Sequence, residues 1–214
     1  MKTQLKIAVL GAGNVGGALG RLWAAAGHEV TFGVPDPRGE RVAAAVAALQ
    51  GRGRAAGVAE AAAPAEVVAL CVPWTAAEAA IRTSGSLSGK VVIDCMNPLS
   101  ADLKGLTVGT TTSAAELVAG WAKGAKVVKA FNTIGAFNFG NAQYGSQRAD
   151  GFYCGDDAAA KTVVKDLVDQ AGLDPVDVGP LTNARWLEAL AMLWIDLAVN
   201  QRLGANHAFK LLRR

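Results

Sequence analysis

Residues 6–20 read KIAVLGAGNVGGALG, and this stretch decides the fold. Lys6–Leu10 is a short apolar run with a strand's composition, and helix-forming residues follow from Val15. Between them Gly11, Gly13 and Gly16 make a GxGxxG at the mouth of the helix. Gly11 permits the tight turn, Gly13 lets the backbone approach a pyrophosphate, and Gly16 lets helix and strand pack closely. The unpaired N–H groups and the dipole at the helix N-terminus then favour an anion. The run continues through Ala26-Gly27-His28-Glu29-Val30 into a second strand. This strand–turn–helix context points to a dinucleotide.

The alternation continues outward. Strand candidates are Lys6–Leu10, Glu29–Phe32, Val67–Cys71, Val91–Cys95, Val127–Ala130, Phe152–Cys154 and Val176–Val178. Helix candidates are Val15–Ala26, Glu40–Leu49, Ala76–Ile81, Ala114–Trp121 and Asp157–Ala171. Apolar strands separated by helices predict an α/β fold, a Rossmann doubly wound parallel sheet covered on both faces. The chain from 181 differs. Thr182 or Asn183 is a helix cap candidate, and the helix after it is apolar on most sides, from Trp186 to Leu197. The expected division is 1–180 for the dinucleotide-binding domain and 181–214 for a small C-terminal helical domain. A helix apolar on so many sides needs cover from the sheet domain and from a bound flat ligand or a second subunit, so a homodimer is expected.

Composition narrows the classes. With 51% hydrophobic residues among 214, the chain can bury a large core. A net charge of +3 without a basic stripe argues against nucleic acid. Cys71, Cys95 and Cys154 form no CxxC pair and sit in apolar contexts, as expected of reduced thiols in the cytoplasm. The opening Met1-Lys2-Thr3-Gln4 leads straight into a strand, so no signal peptide is expected. The helix WLEALAMLWIDLAVN carries Glu188 and Asp196 and reads as buried rather than as a membrane span. Asp156 and Asp157 read as a strand end and helix cap, not a metal site. His28 and His207 read as structural, and Glu188 is expected to pair with nearby Arg185.

The end of the second strand chooses the dinucleotide. The position where NAD enzymes carry an acid for the ribose hydroxyls is Val34 here. Asp36 follows, then Arg38 and Arg41. Arg38 can meet a 2′-phosphate, because a guanidinium matches phosphate geometry, whereas Asp36 would oppose one. The expectation is NADP(H), with NAD(H) as the alternative.

A second stretch, KVVKAFNTIGAFNFGN at 126–141, turns from strand into a loop of Phe131, Asn132, Thr133 and Gly135. A loop at a strand end is where such folds keep their chemistry, yet this one holds no His, Asp, Glu, Cys or Ser. Hydride transfer between stacked rings needs none, since the accepting ring delocalises the charge and the protein supplies orientation and dryness. Two rival readings are an NADP-sensing binding module without turnover and a small carbonyl or imine reductase using Lys129 as its acid.

The segments KIAVLGAGNVGGALG, Cys71-Val72-Pro73-Trp74, KAFNTIG at 129–135, YCGDDAAAK at 153–161 and GPLTNARWLEAL at 179–190 occur in this order. Together they resemble the reduced coenzyme F420:NADP oxidoreductase family, and also the NADPH domain of the STEAP metalloreductases. The resemblance implies a C-terminal helical part that closes a cleft, with NADP(H) across the strand ends and a small-molecule hydride acceptor stacked on the nicotinamide. That acceptor would be coenzyme F420, FMN or FAD. It implies dinucleotide contacts at Gly11, Gly13, Asn14, Val15, Gly16, Gly33, Val34, Asp36, Arg38, Val72, Pro73 and Trp74. Asn97, Pro98 and Leu99 would face the nicotinamide. Asn132, Thr133 and Ile134 would position the ring pair, with Leu193, Trp194 and residues 208–212 on the far wall. Two positions depart from the archaeal pattern: Val34-Pro35 replaces Ser-Arg, and Asn132-Thr133 replaces His-Thr.

Overall fold

The computed structural model describes residues 4–214. Met1–Thr3, read above as part of a lead into the first strand, lie outside the described residues. The first half alternates as the sequence implies: β1 (Lys6–Leu10), α1 (Asn14–Ala25), β2 (Glu29–Gly33), α2 (Glu40–Ala47), β3 (Gly53–Ala56), α3 (Val58–Ala62), β4 (Val67–Leu70), α4 (Ala77–Thr83) and β5 (Val91–Asp94). The second half adds α5 (Ala114–Trp121), β6 (Lys126–Ala130), a small hairpin of β7 (Gln143–Tyr144) and β8 (Gln147–Arg148), then β9 (Asp150–Gly155), α6 (Ala158–Gln170), β10 (Asp174–Asp177) and α7 (Ala184–Ile195). Eight strands form one sheet in the order β10-β9-β6-β5-β4-β1-β2-β3.

Strands β3 to β6 are parallel, but β9 pairs antiparallel with β6, so the expectation of a parallel sheet is corrected at that edge. The cause is the connection. A parallel return needs a crossover helix. Residues 131–149 carry only a short 3₁₀ turn and the small hairpin, so the chain returns in the opposite direction. Strand β3 and helix α3 were not expected. Their sequence, GRAAGVAEAA, has too few apolar side chains to show a period.

The sheet is covered on both faces. On one, Leu19 and Trp23 of α1 and Val164, Leu167 and Val168 of α6 pack on Ile7, Val9, Val30, Phe32 and Val128. On the other, Ala61 and Ala62 of α3, Ile81 of α4, Ala115 and Val118 of α5 and Leu187 of α7 pack on Ala8, Leu10, Val68 and Val92. Trp23 is fully buried, and its indole N–H donates to the Leu167 carbonyl at 3.1 Å, which satisfies its one polar atom and pins α1 to α6. Ser113 caps α5 through the Glu116 N–H, and Asp157 caps α6 through the Ala160 N–H, as its sequence position suggests.

After α7 a π-helical turn runs to Asn200, and residues 203–214 are non-helical. The C-terminal segment is therefore only partly helical. Arg202 and Gly204 take positive φ, +58° and +77°, which ends the helix. The tail is strapped to the sheet edge. The Lys210 ammonium donates to Asp150 Oδ1 at 2.7 Å and Asp174 Oδ2 at 2.6 Å, and the Leu211 N–H donates to Asp150 Oδ2 at 2.6 Å. Trp186 and Leu193 of α7 stay 67% and 49% exposed, so the sheet domain does not cover this side of the helix.

Gly16 has no room for a side chain. A Cβ there would lie 2.0 Å from the Gly11 carbonyl oxygen, a backbone atom that cannot swing away. Gly16→Ala is expected to cost about 3 kcal/mol, a fall in Tm of roughly 6–12 °C by thermal unfolding. An unchanged Tm would show that the loop can open by an ångström or more.

Candidate active site

The strand order reverses direction between β1 and β4, and a crevice opens there beyond the carboxyl ends of the strands. Gly11 forms its lip at φ +100°, where a Cβ would sit 2.6 Å from the Cys71 carbonyl oxygen. Gly13 differs from both of its partner glycines: a Cβ there would meet nothing within 4 Å. Its surface faces open space at the start of α1, and no side chain caps that helix. The first-turn N–H groups are thus free for an anion. This is the geometry that the GxGxxG spacing implies, and it fits a pyrophosphate.

Two cavities flank this loop, sharing Val72. One, about 640 Å³, is lined by Leu10, Gly11, Gly33, Val34, Pro35, Val58, Ala80 and others of β2, α3 and α4. Its walls are mostly apolar, as an adenine ring requires. At its rim the Asp36 carboxylate accepts the Arg38 N–H at 3.1 Å, closing its own turn. Arg38 and Arg41 are exposed, and neither makes a salt bridge among the described residues. Basic groups are therefore left facing solvent at this end, with Asp36 engaged in its own turn and Glu40 in the first turn of α2.

The other cavity, about 410 Å³, lies over the ends of β4 and β5 and is lined by Val15, Cys71–Thr75, Cys95–Asn97, Leu99–Ala101 and Leu103. Trp74 stacks on Trp121 with centroids 5.4 Å apart, which fixes one wall. Residues 98–107 form a flap, held by the Leu99–Leu106 bridge and by the Thr107 N–H to the Pro98 carbonyl at 2.7 Å. Cys71 and Cys95, read from the sequence only as reduced thiols, and Met96, Ser100 and Leu103 were not assigned to the site. Cys71 and Cys95 stand one step past β4 and β5 in equivalent register, which was an available signal; Ser100 and Leu103 lie in the flap and had none.

Pro98 is buried within the flap, while Asn14 is exposed at the start of α1. Asn132, Thr133 and Ile134 are buried at 6%, 3% and 7% exposure and form the layer behind the cavity rather than its lining. Asn132 reaches the lining through Asn97. Its Nδ2 donates to Asn97 Oδ1 at 3.0 Å, and Asn97 Nδ2 donates back to the Asn132 carbonyl at 3.0 Å. Asn132 Nδ2 also donates to the Leu187 carbonyl at 3.0 Å. Phe131 is held at φ +65°, a conformation that costs a non-glycine residue about 1–3 kcal/mol and persists only where neighbours fix it. Trp194 is buried and stacks on His207 at 4.7 Å, while residues 208–212 run into the strap on β9 and β10. Neither lines this cavity.

Lys129 is not placed as an acid facing the cavity. Its side chain is 0% exposed, and its Nζ meets Asp94 Oδ2 at 3.0 Å, Glu188 Oε1 at 2.9 Å and the Met96 carbonyl at 2.5 Å. Each ammonium proton has an acceptor. Burial works to lower its pKa, but attraction to Asp94 and Glu188 outweighs this and holds it above the ordinary lysine range. No proton is left to face the cavity, so the carbonyl or imine reductase reading loses its acid. Glu188 pairs with Lys129, not with Arg185; Arg185 instead forks onto Glu116 at 2.6 and 2.8 Å. His28 is structural: Nδ1 accepts the Leu5 N–H at 3.1 Å, so Nε2 carries the proton toward Gln170 Oε1 at 2.8 Å. No group of His, Cys, Asp and Glu able to hold a metal occurs among the described residues, and no described helix is long and apolar enough to cross a membrane.

Residues 6–98 match the family described as NADP oxidoreductase, coenzyme F420-dependent. The F420-dependent NADP reductase of Methanothermobacter marburgensis is 34% identical over 214 residues, covering 93% of this chain and 95% of that protein. The chain belongs to this family. It is an NAD(P)H-dependent oxidoreductase. A solved structure from Arthrobacter sp. FB24, described as a candidate F420-dependent NADP reductase, superposes with a TM-score of 0.89 at 33% identity, covering 98% of this chain and all of that one. The metalloreductase STEAP3 of Rattus norvegicus is 27% identical over 89% of this chain, which spans 37% of that longer protein.

Proposed function

We propose that this reductase passes hydride reversibly between NADP(H) and a deazaflavin, coenzyme F420, bound as a second substrate. The observation that carries the reading is the pair of cavities joined at Val72 on either side of the open Gly13 face, in a chain that matches an F420-dependent NADP reductase along its length. When bound, the two molecules supply the hydride donor and the ring that accepts it. The chain's own work is to bind, orient and exclude water.

Gly11, Gly13, Val15 and the free N–H groups of α1 would hold the pyrophosphate. Val34 and Val58 would enclose the adenine, with Arg38 beside the 2′-phosphate. Asn97 would present its amide to the rings, held in orientation by Asn132. Pro73, Trp74, Leu99 and Leu103 would keep water out. The cavity lining carries no carboxylate, imidazole or amine, which suits a transfer needing no proton from the protein.

The test is anaerobic NADPH oxidation, followed by absorbance, with coenzyme F420, FMN, FAD and riboflavin offered separately and NADH as control donor. Turnover with the deazaflavin is expected. Turnover with flavins alone would reassign the acceptor, and tight NADPH binding without any turnover would favour a sensing module. Arg38→Ala is expected to raise the Kd for NADPH roughly tenfold while leaving NADH within about twofold, as for loss of one charge-assisted phosphate contact. Equal effects on both would place the 2′-phosphate elsewhere.

A further inference from the structure

We infer that the buried Asp94–Lys129–Glu188 network is a positioning device for the reaction, fixing the floor of the 410 Å³ cavity to the seat of α7. The inference rests on the reading that this cavity holds the reacting rings. Met96, in the cavity floor, is held at both of its backbone polar groups. Its N–H donates to Asp94 Oδ1 at 2.9 Å, and its carbonyl accepts from Lys129 Nζ at 2.5 Å. The next residue, Asn97, lines the cavity and is locked to Asn132 by the reciprocal amide pair.

Both locks lead to one turn of α7. The Leu187 carbonyl receives Asn132 directly, and Glu188 receives Lys129. Glu188 is itself immobilised, because its carboxylate also accepts the Ala114 and Ala115 N–H groups at the start of α5, at 2.9 and 3.3 Å. A hydrophobic cluster of equal volume would hold α7 to the sheet equally well. It would not fix the direction of a backbone carbonyl two residues past β5. The directional bonds are made where a small displacement matters to ring-to-ring transfer, since an error of an ångström in the approach of reacting atoms costs about a hundredfold in rate.

The wild-type protein tests the coupling first, by native-state amide exchange in mild denaturant. The Met96 amide and the Ala114 and Ala115 amides should open together with one free energy. If Met96 opens independently of them, the network does not join these segments and the inference is overturned whatever the acceptor is. Glu188→Gln then tests the consequence, with Arg185→Met as control, since the latter breaks the other α5–α7 tie without reaching the cavity. In Glu188→Gln we expect exchange of residues 94–99 and 130–135 to speed by about tenfold. We expect kcat to fall by about tenfold, with the KM for NADPH within about twofold. Arg185→Met should lower Tm and move neither. Equal kinetic losses in both variants, or none in Glu188→Gln, would reduce the network to a structural tie. Should Glu188→Gln not fold, Asp94→Asn carries the same comparison from the other end. A wild-type protein that turns over no acceptor would defeat the proposed function but leave the exchange result standing.

Discussion

Lys129 keeps an ammonium group at 0% exposure in the middle of the molecule, and the rest of the architecture is arranged around that fact. A buried cation survives only when every proton finds an acceptor, and here Asp94, Glu188 and the Met96 carbonyl provide all three. Those acceptors come from β5, from α7 and from the loop beyond β5, while Lys129 itself belongs to β6. One group therefore joins β6 and the end of β5, which reaches the cavity, to the helix that follows the sheet. Removing a partner would leave a buried charge uncompensated, at a cost of about 3–5 kcal/mol. That is a large part of the stability of any single domain.

This arrangement also separates charge from chemistry. The ionised groups nearest the cavity are saturated by one another and lie beneath its floor. The lining shows one side-chain amide, two thiols, two hydroxyls and apolar walls. The Cys95 thiol, which does line it, is pushed well above the usual range by burial and is no nucleophile at neutral pH. Unpaired arginines are found at the other end of the crevice, outside the adenine-sized cavity. A dinucleotide lying across the switch point would thus meet its charged partners at the phosphates and a nearly uncharged site at the nicotinamide.

The parts legible in the sequence were those set by local constraint. The β1–α1 turn was readable because Gly11 and Gly16 answer steric demands and Gly13 leaves an open surface between them, and α5 because its run of helix-forming residues follows a strand. The Asp157 cap was visible for the same reason. What stayed hidden depended on which strands are neighbours. Asp94 and Lys129 are 35 residues apart, and only the β5–β6 register sets them side by side. A trace of this existed: Asp94 stands fourth in VVID (91–94) and Lys129 fourth in KVVK (126–129), opposite charges that each close an apolar run. Glu188 was misassigned because Arg185 is near in sequence, whereas α5 offers Arg185 a closer acid in space. The reversal of β9 was hidden because nothing in residues 131–149 announces a missing crossover helix.

Lys129 acts as a charged lock rather than a proton donor. The most direct measurement is the ¹⁵N resonance of its Nζ in lysine-labelled protein, followed from about pH 6 to about pH 10 with and without NADP⁺ and the deazaflavin. An ammonium signal that persists across the range, exchanges slowly with water and is unmoved by either ligand is expected. A lysine that titrates within the range, or gives up its proton when the ligands bind, would contradict it and make Lys129 the acid that the cavity otherwise lacks.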